Sequence, residues 1–215
     1  MDPHSEVEAK FEATGLLPSQ IQAFMDERFS EHSFRRVAGI DQFWNVGGKV
    51  VRARFDRERL DKGGTGLPGL DGERVLHGPE TCCLTIKARK SEASLLDRHE
   101  VDLPVGAISP YTVTEFLEML GGEYESALSK EYWVWIFTYP LRDTSVTVCL
   151  ALYDVNRFGY DNDKRRYLEI EIEKHSECSD EVGKAELQFW IGLLKNTFTL
   201  EDPVNVSLYE LYKTP

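Results

Sequence analysis

The chain has 215 residues, 41% of them hydrophobic and 11% aromatic, which is material for one domain spanning residues 1–215 with its own core. Its formal net charge of -12 argues against non-specific binding to nucleic acid or to an anionic membrane, because both need accessible positive charge. An enclosed basic cavity is compatible with that total.

No stretch approaches the roughly 20 apolar residues of a membrane-spanning helix, and the opening MDPHSEVEAK is too charged for a signal peptide, so a cytoplasmic protein is expected. Cys82, Cys83, Cys149 and Cys178 show no CxxC spacing, and the histidines show no HExxH, which argues against zinc and for reduced thiols.

The first periodic segment, SEVEAKFE, alternates Glu6, Glu8 and Lys10 with Val7, Ala9 and Phe11, as a strand with one ionic face does. PSQIQAFMDERF follows with Ile21, Phe24, Met25 and Phe29 at helical spacing and Pro18 at its start. GGKVVRARFD puts Arg52 and Arg54 on one strand face. The Gly/Pro-rich segment Asp61–Pro79 reads as a mobile connection or a lid; its GGTG lacks the GK[ST] of a phosphate-binding P-loop. CCLTIKARK then aligns Thr85, Lys87 and Arg89, and LLDRHEVDLPV aligns Arg98, Glu100 and Asp102. SPYTVTEFLEML predicts a helix stopped at Gly121-Gly122. SKEYWVWIFTYP, opened by Lys130, and TSVTVCLALYDV, closed by Asp154, read as strands buried on both faces. YLEIEIEK places Glu169, Glu171 and Glu173 on one face against Ile170 and Ile172, and a last amphipathic helix begins at Ser179-Asp180.

This count predicts an antiparallel, strand-rich α+β domain. Its charges are segregated: basic pairs occupy the middle strands, and carboxylates the first and the late ones. A closed sheet with a polar interior holds such rows facing one another, and each row then needs a ligand of opposite charge. Mg2+ or Mn2+ suits the carboxylates, and a polyphosphate suits the lysines and arginines.

With these rows in place the sequence resembles the CYTH, or triphosphate tunnel metalloenzyme, superfamily. EVEAK matches its ExExK signature, followed in order by VRAR, TIKAR, RHEVD, Lys130, DVNRFGY and YLEIEIE. The resemblance implies a closed antiparallel β-barrel, a tunnel of about eight strands with flanking helices, that binds a triphosphate-containing small molecule. It implies Glu6, Glu8, Glu169 and Glu171 as metal ligands, with Glu173 and Asp154 as additions. Lys10, Arg52, Arg54, Lys87 and Arg89 become the phosphate lining, extended by Arg98, Lys130 and Arg157. One metal would hold the triphosphate and a second would activate water for in-line attack, with Glu6 or Glu171 as its base and Lys10 also catalytic. No protein nucleophile is required.

The DVNRFGY and YLEIEIE segments are more similar to the small-molecule triphosphatases, which act on tripolyphosphate or thiamine triphosphate, than to the class IV adenylate cyclases. Cyclisation of ATP to cyclic AMP and pyrophosphate, or nucleotide binding without turnover, stay open as alternatives, as do monomer and homodimer. The chain departs from the family pattern at DQFWNVGG, where Tyr-Tyr-Asp-Thr-Pro is usual, and at Tyr132, where a cation is usual. Trp44, Tyr132 and Trp133 are therefore candidates to stack on an organic group, with core packing as the competing role.

Overall fold

A computed structural model of the chain describes residues 4–29, 31–61, 74–89, 97–141, 144–174, 180–204 and 206–212; within these elements the side chains of 4–6, 59–61, 74–80, 87–89, 97–100, 144, 161, 174 and 180 lie outside the described residues. The elements run β1 (His4–Glu12), α1 (Pro18–Arg28), β2 (Ser33–Val46), β3 (Lys49–Asp61), β4 (Arg74–Arg89), β5 (Asp97–Gly106), α2 (Pro110–Met119), β6 (Glu123–Leu141), β7 (Thr144–Arg157), β8 (Arg165–Lys174), α3 (Asp180–Phe198) and α4 (Leu208–Tyr212). Among the described residues this is an α+β fold of eight antiparallel strands and four α-helices. The strand order is β1-β5-β4-β3-β2-β6-β7-β8. β1 pairs with β5, Glu6 opposite Arg98, and also with β8, Glu8 opposite Glu171.

Strand alternation divides the molecule into an outer apolar layer and an inner polar one. On the outer side Val7, Ala9, Leu150, Leu152, Ile170 and Ile172 are buried against Ile21 and Met25 of α1 and Leu187, Trp190 and Leu194 of α3. A second outer cluster joins Trp44, Val51, Ala53 and Phe55 to Val113 and Leu117 of α2. Pro110 opens α2 behind Ser109, whose side chain accepts from Tyr111 N at 3.2 Å. Gly121, at φ 75°, ends it as the glycine pair predicted.

Two features differ from the sequence reading. β2 is a fourteen-residue strand that no clean alternation announced, because Arg35 and Arg36, like Asp41 and Gln42, put polar groups on both of its faces. Asp61 and Arg74–Pro79, expected in a loop, belong to β3 and β4, which pair through Leu60↔Val75 and Asp61↔Arg74; positions 62–73 of that expectation lie outside the described residues. β7, as expected, carries buried residues on both faces: Val148, Leu150 and Leu152 face the helices, while Tyr153 and Val155 lie in an inner cluster with Tyr132 and Tyr167.

α4 was not expected. Its signal is Ser207-Leu-Tyr-Glu210: Ser207 N donates to Glu210 Oε2 at 2.9 Å and Glu210 N to Ser207 Oγ at 3.2 Å, a reciprocal cap. Leu208 and Tyr212 pack on Phe43, Leu128, Tyr153 and Tyr167 at one end of the inner face. Among the described residues no helix is long and apolar enough to cross a membrane.

Candidate functional site

The inner faces of β1, β2, β3, β4, β6 and β8 converge on a cavity of about 270 Å3. One wall is acidic. Glu8 of β1 and Glu169 and Glu171 of β8 each bring a carboxylate oxygen within 4.8 Å of the others, and Glu8 is only 6% exposed. Like charges at that separation repel, so the arrangement is stable as a set of anions only with positive charge among them. The field acts on the neighbours: burial first, and then the charges of Glu171, Glu169 and Glu173, hold the Cys149 thiol well above its ordinary range. Tyr153, raised by burial and by Glu169, donates to Glu169 Oε2 at 2.7 Å.

The opposite wall is cationic. Arg54 Nε donates to Asp41 Oδ1 at 2.8 Å, and Lys130 Nζ donates to Asp41 Oδ2 at 2.5 Å. Burial alone would raise the Asp41 carboxyl, but Arg54, Lys130 and Arg52 outweigh it and hold the group far below the usual carboxylate range. Arg52 Nη2 donates to Thr85 Oγ1 at 3.0 Å, and Thr85 in turn to Asp102 Oδ1 at 2.5 Å. The two walls meet through Tyr153, whose ring lies 5.5 Å from Lys130 Nζ while its hydroxyl holds Glu169. Lys10, opposite Glu169 in register, lines the cavity at the same junction.

Behind the cations, Tyr132 donates to Asp56 Oδ1 at 2.8 Å, and its ring centroid lies 5.6 Å from the Arg54 guanidinium carbon. Gly39 makes room for this pair. A Cβ there would meet Asp56 Oδ1 at 2.0 Å and the Tyr132 hydroxyl at 2.7 Å. Urea unfolding should find Gly39→Ala less stable by about 1–3 kcal/mol; an unchanged midpoint would mean that the pair gives way freely.

Seven of the residues singled out in the sequence are thus brought together: Glu8, Lys10, Arg52, Arg54, Lys130, Glu169 and Glu171. The side chains of Glu6, Lys87, Arg89 and Arg98 lie outside the described residues; their backbones pair as Glu6↔Glu173, Lys87↔Glu100 and Arg89↔Arg98. Asp154 is a correction. It pairs in register with Arg166, on the face of β8 opposite to Glu169, and bonds Arg166 Nε at 2.6 Å and Lys164 Nζ at 2.9 Å, apart from the acidic cluster. Arg157 also stands outside the lining, half-exposed with its Nε 3.6 Å from Asp163. Glu173 is exposed at the end of its row. Trp44 and Trp133 pack in the outer clusters, whereas Tyr132 turns to the inner face. Sequence reasoning did not assign Asp41, Thr85 and Tyr153 to the site, nor Ser207–Glu210, which also line the cavity.

Neither a family model nor a curated protein matches this chain. Solved structures do. The PH1819 protein of Pyrococcus horikoshii aligns with a TM-score of 0.58 at 19% identity, over 96% of this chain and 97% of its own. A conserved hypothetical protein of Pyrococcus furiosus gives 0.58 at 18% identity, over 96% and 99%. A Vibrio parahaemolyticus protein described provisionally as an adenylate cyclase gives 0.56 at 12% identity, over 98% of both chains. This chain shares their fold. In each case the likeness covers 96–98% of this chain.

Proposed function

We propose that this chain is a divalent-metal-dependent triphosphatase that hydrolyses a small triphosphate inside a β-tunnel spanning one domain. The observation that carries the reading is a single cavity with three clustered carboxylates on one wall and Arg52, Arg54 and Lys130 on the other. The pairing of β1 with both β5 and β8 supports a sheet closed around that cavity. Its volume of about 270 Å3 falls just below the range of about 300–1,000 Å3 for pockets that enclose drug-sized ligands. A short phosphate chain fits such a space better than an entire nucleotide does.

The acidic cluster suits Mg2+ or Mn2+: it offers only oxygen donors, from two adjacent strands, and it opens on the cavity where phosphate oxygens would complete the shell. A cation held by Glu8, Glu169 and Glu171 would offset phosphate charge and acidify water in its shell. The protein's own part is positioning. Arg54, as a planar fork, and Lys130, as a point charge, bind non-bridging oxygens in a site shielded from bulk water, where charge is worth more than in solution. Tyr153 orients Glu169 through its hydroxyl. Glu171 accepts the proton of the attacking water, the bond from the terminal phosphorus to the bridging oxygen breaks, and Lys10 and Arg52 neutralise the charge that develops on the leaving diphosphate.

A panel of tripolyphosphate and nucleoside triphosphates, with Mg2+ or Mn2+ and with chelator, tests this. Orthophosphate should appear with the metal, disappear with the chelator and return on metal addition. Cyclic nucleotide with pyrophosphate as products would make the protein a cyclase instead. Tight binding without any turnover across the panel would make it a binding module.

A further inference from the structure

Asp41 has no exposed surface, yet it governs two of the cations that line the cavity. It stands on β2, between β3 and β6, and each of its oxygens reaches a neighbouring strand. Oδ1 accepts from Arg54 Nε at 2.8 Å; Oδ2 accepts from Arg54 Nη2 at 3.3 Å and from Lys130 Nζ at 2.5 Å. The two cations differ in access: the Arg54 side chain keeps 29% exposure, and that of Lys130 only 5%. One carboxylate therefore aims two cations, and a surplus of positive charge is left facing the cavity.

We propose that Asp41 is a positioning residue for anion binding, fixing Arg54 and Lys130 toward the cavity without touching the ligand. The inference rests on the triphosphate reading of this cavity. Its physical content lies in Lys130. Burial pushes the ammonium down to about 8; Asp41 opposes that fall, and Arg54 and Arg52 add to it. The groups facing it are Asp41 from β2, Arg52, Arg54 and Asp56 from β3 and the Tyr153 ring from β7, with Glu8 and Lys10 of β1, Thr85 of β4 and Glu169 and Glu171 of β8 lining the rest of the cavity. A folded-state value below the ordinary one means that the charge is present below about pH 8 and lost above it. Anion binding weakens over the same interval. Without the Asp41 charge the interval moves to lower pH.

Calorimetric titration with tripolyphosphate from neutral to alkaline pH decides the matter. The wild type should bind more weakly as pH rises through about 8. Asp41→Asn, which keeps the shape and an acceptor, should weaken binding at neutral pH by about 10–100-fold, the worth of one charge-assisted hydrogen bond, and should move the alkaline limb to lower pH. A folded Asp41→Asn protein with unchanged affinity, or with its limb unmoved, overturns the proposal. Should that variant not fold, Lys130→Gln tests the claim from the other side: Asp41 still holds Arg54, so binding persists but loses its limb near pH 8. A limb that survives in Lys130→Gln is fatal to it. If wild-type protein binds no triphosphate, the functional reading fails separately. The Lys130 ammonium resonance, followed by NMR in ligand-free wild type and Asp41→Asn, then decides for Asp41 by whether its midpoint falls.

Discussion

Glu8→Gln is expected to lower metal-dependent phosphate release by at least about 10²–10³-fold, the usual loss when one pre-placed electrostatic group is removed from a reaction centre. The substitution keeps the shape of a side chain that is almost fully buried and deletes one of the three charges of the cluster. Stability gives an independent readout. The Tm of each protein without metal is the baseline. With metal at about a hundred times its Kd, wild type gains about 2.7 kcal/mol, and Glu8→Gln loses most of that gain. Equal metal-induced rises in Tm for the two proteins would show that the cation binds elsewhere. Glu169→Gln should follow the same pattern, since its amide oxygen can still accept from the Tyr153 hydroxyl that Glu169 holds at 2.7 Å.

The second large effect concerns folding. Arg54→Ala removes the guanidinium that holds both oxygens of fully buried Asp41. Stranding one member of a buried ion pair costs about 3–5 kcal/mol, which for a chain of this size lowers Tm by roughly 6–20 °C. Lys130 remains on Asp41, which places the expected loss toward the lower end. The pH dependence has a definite sign. Asp41 titrates below its unfolded value, so its contribution is present above about pH 4 and is lost as pH falls through the folded-state value. Arg54→Ala raises that folded-state value, and acid unfolding should therefore begin at higher pH than in wild type. Thermal melts across the acidic range check both statements. A variant that matches wild type in Tm and in acid midpoint would mean that Lys130 alone satisfies Asp41.

The acidic wall was the legible half of the site. Glu8, Glu169 and Glu171 sit in strands whose alternation is strict, because Val7, Ala9, Ile170 and Ile172 on the other face must all be buried against α1 and α3. Period two then places every carboxylate. Arg52 and Arg54 were legible for the same reason, with Val51, Ala53 and Phe55 between them. The strand that organises the cationic wall was not. β2 carries Asp41 and Gly39 on its inner face and Arg36 and Gln42 on its outer one, so its hydrophobic pattern has no clear period. Its function depends on partners brought from β3 and β6, and no local spacing reveals them.

Asp154 shows the opposite failure. Lying between Tyr153 and Val155 it resembled one more acid at a strand end, but a shift of a single position puts it on the outer face, where burial would raise it and Arg166 and Lys164 instead hold it below the usual range. One part of the cavity lining depends on a return of the chain. Val204 N donates to Lys10 O at 2.6 Å and brings Ser207–Glu210 back over the first strand. The S-x-x-E pattern announces a helix there, though nothing local says what the helix covers.

A crystal structure of the protein with Mn2+ and tripolyphosphate, located by the anomalous signal of the metal, tests the central claim most directly. The account predicts manganese among Glu8, Glu169 and Glu171, with phosphate oxygens reaching across the cavity to Arg54 and Lys130. Manganese bound away from those three carboxylates, or tripolyphosphate held outside the cavity, would contradict it.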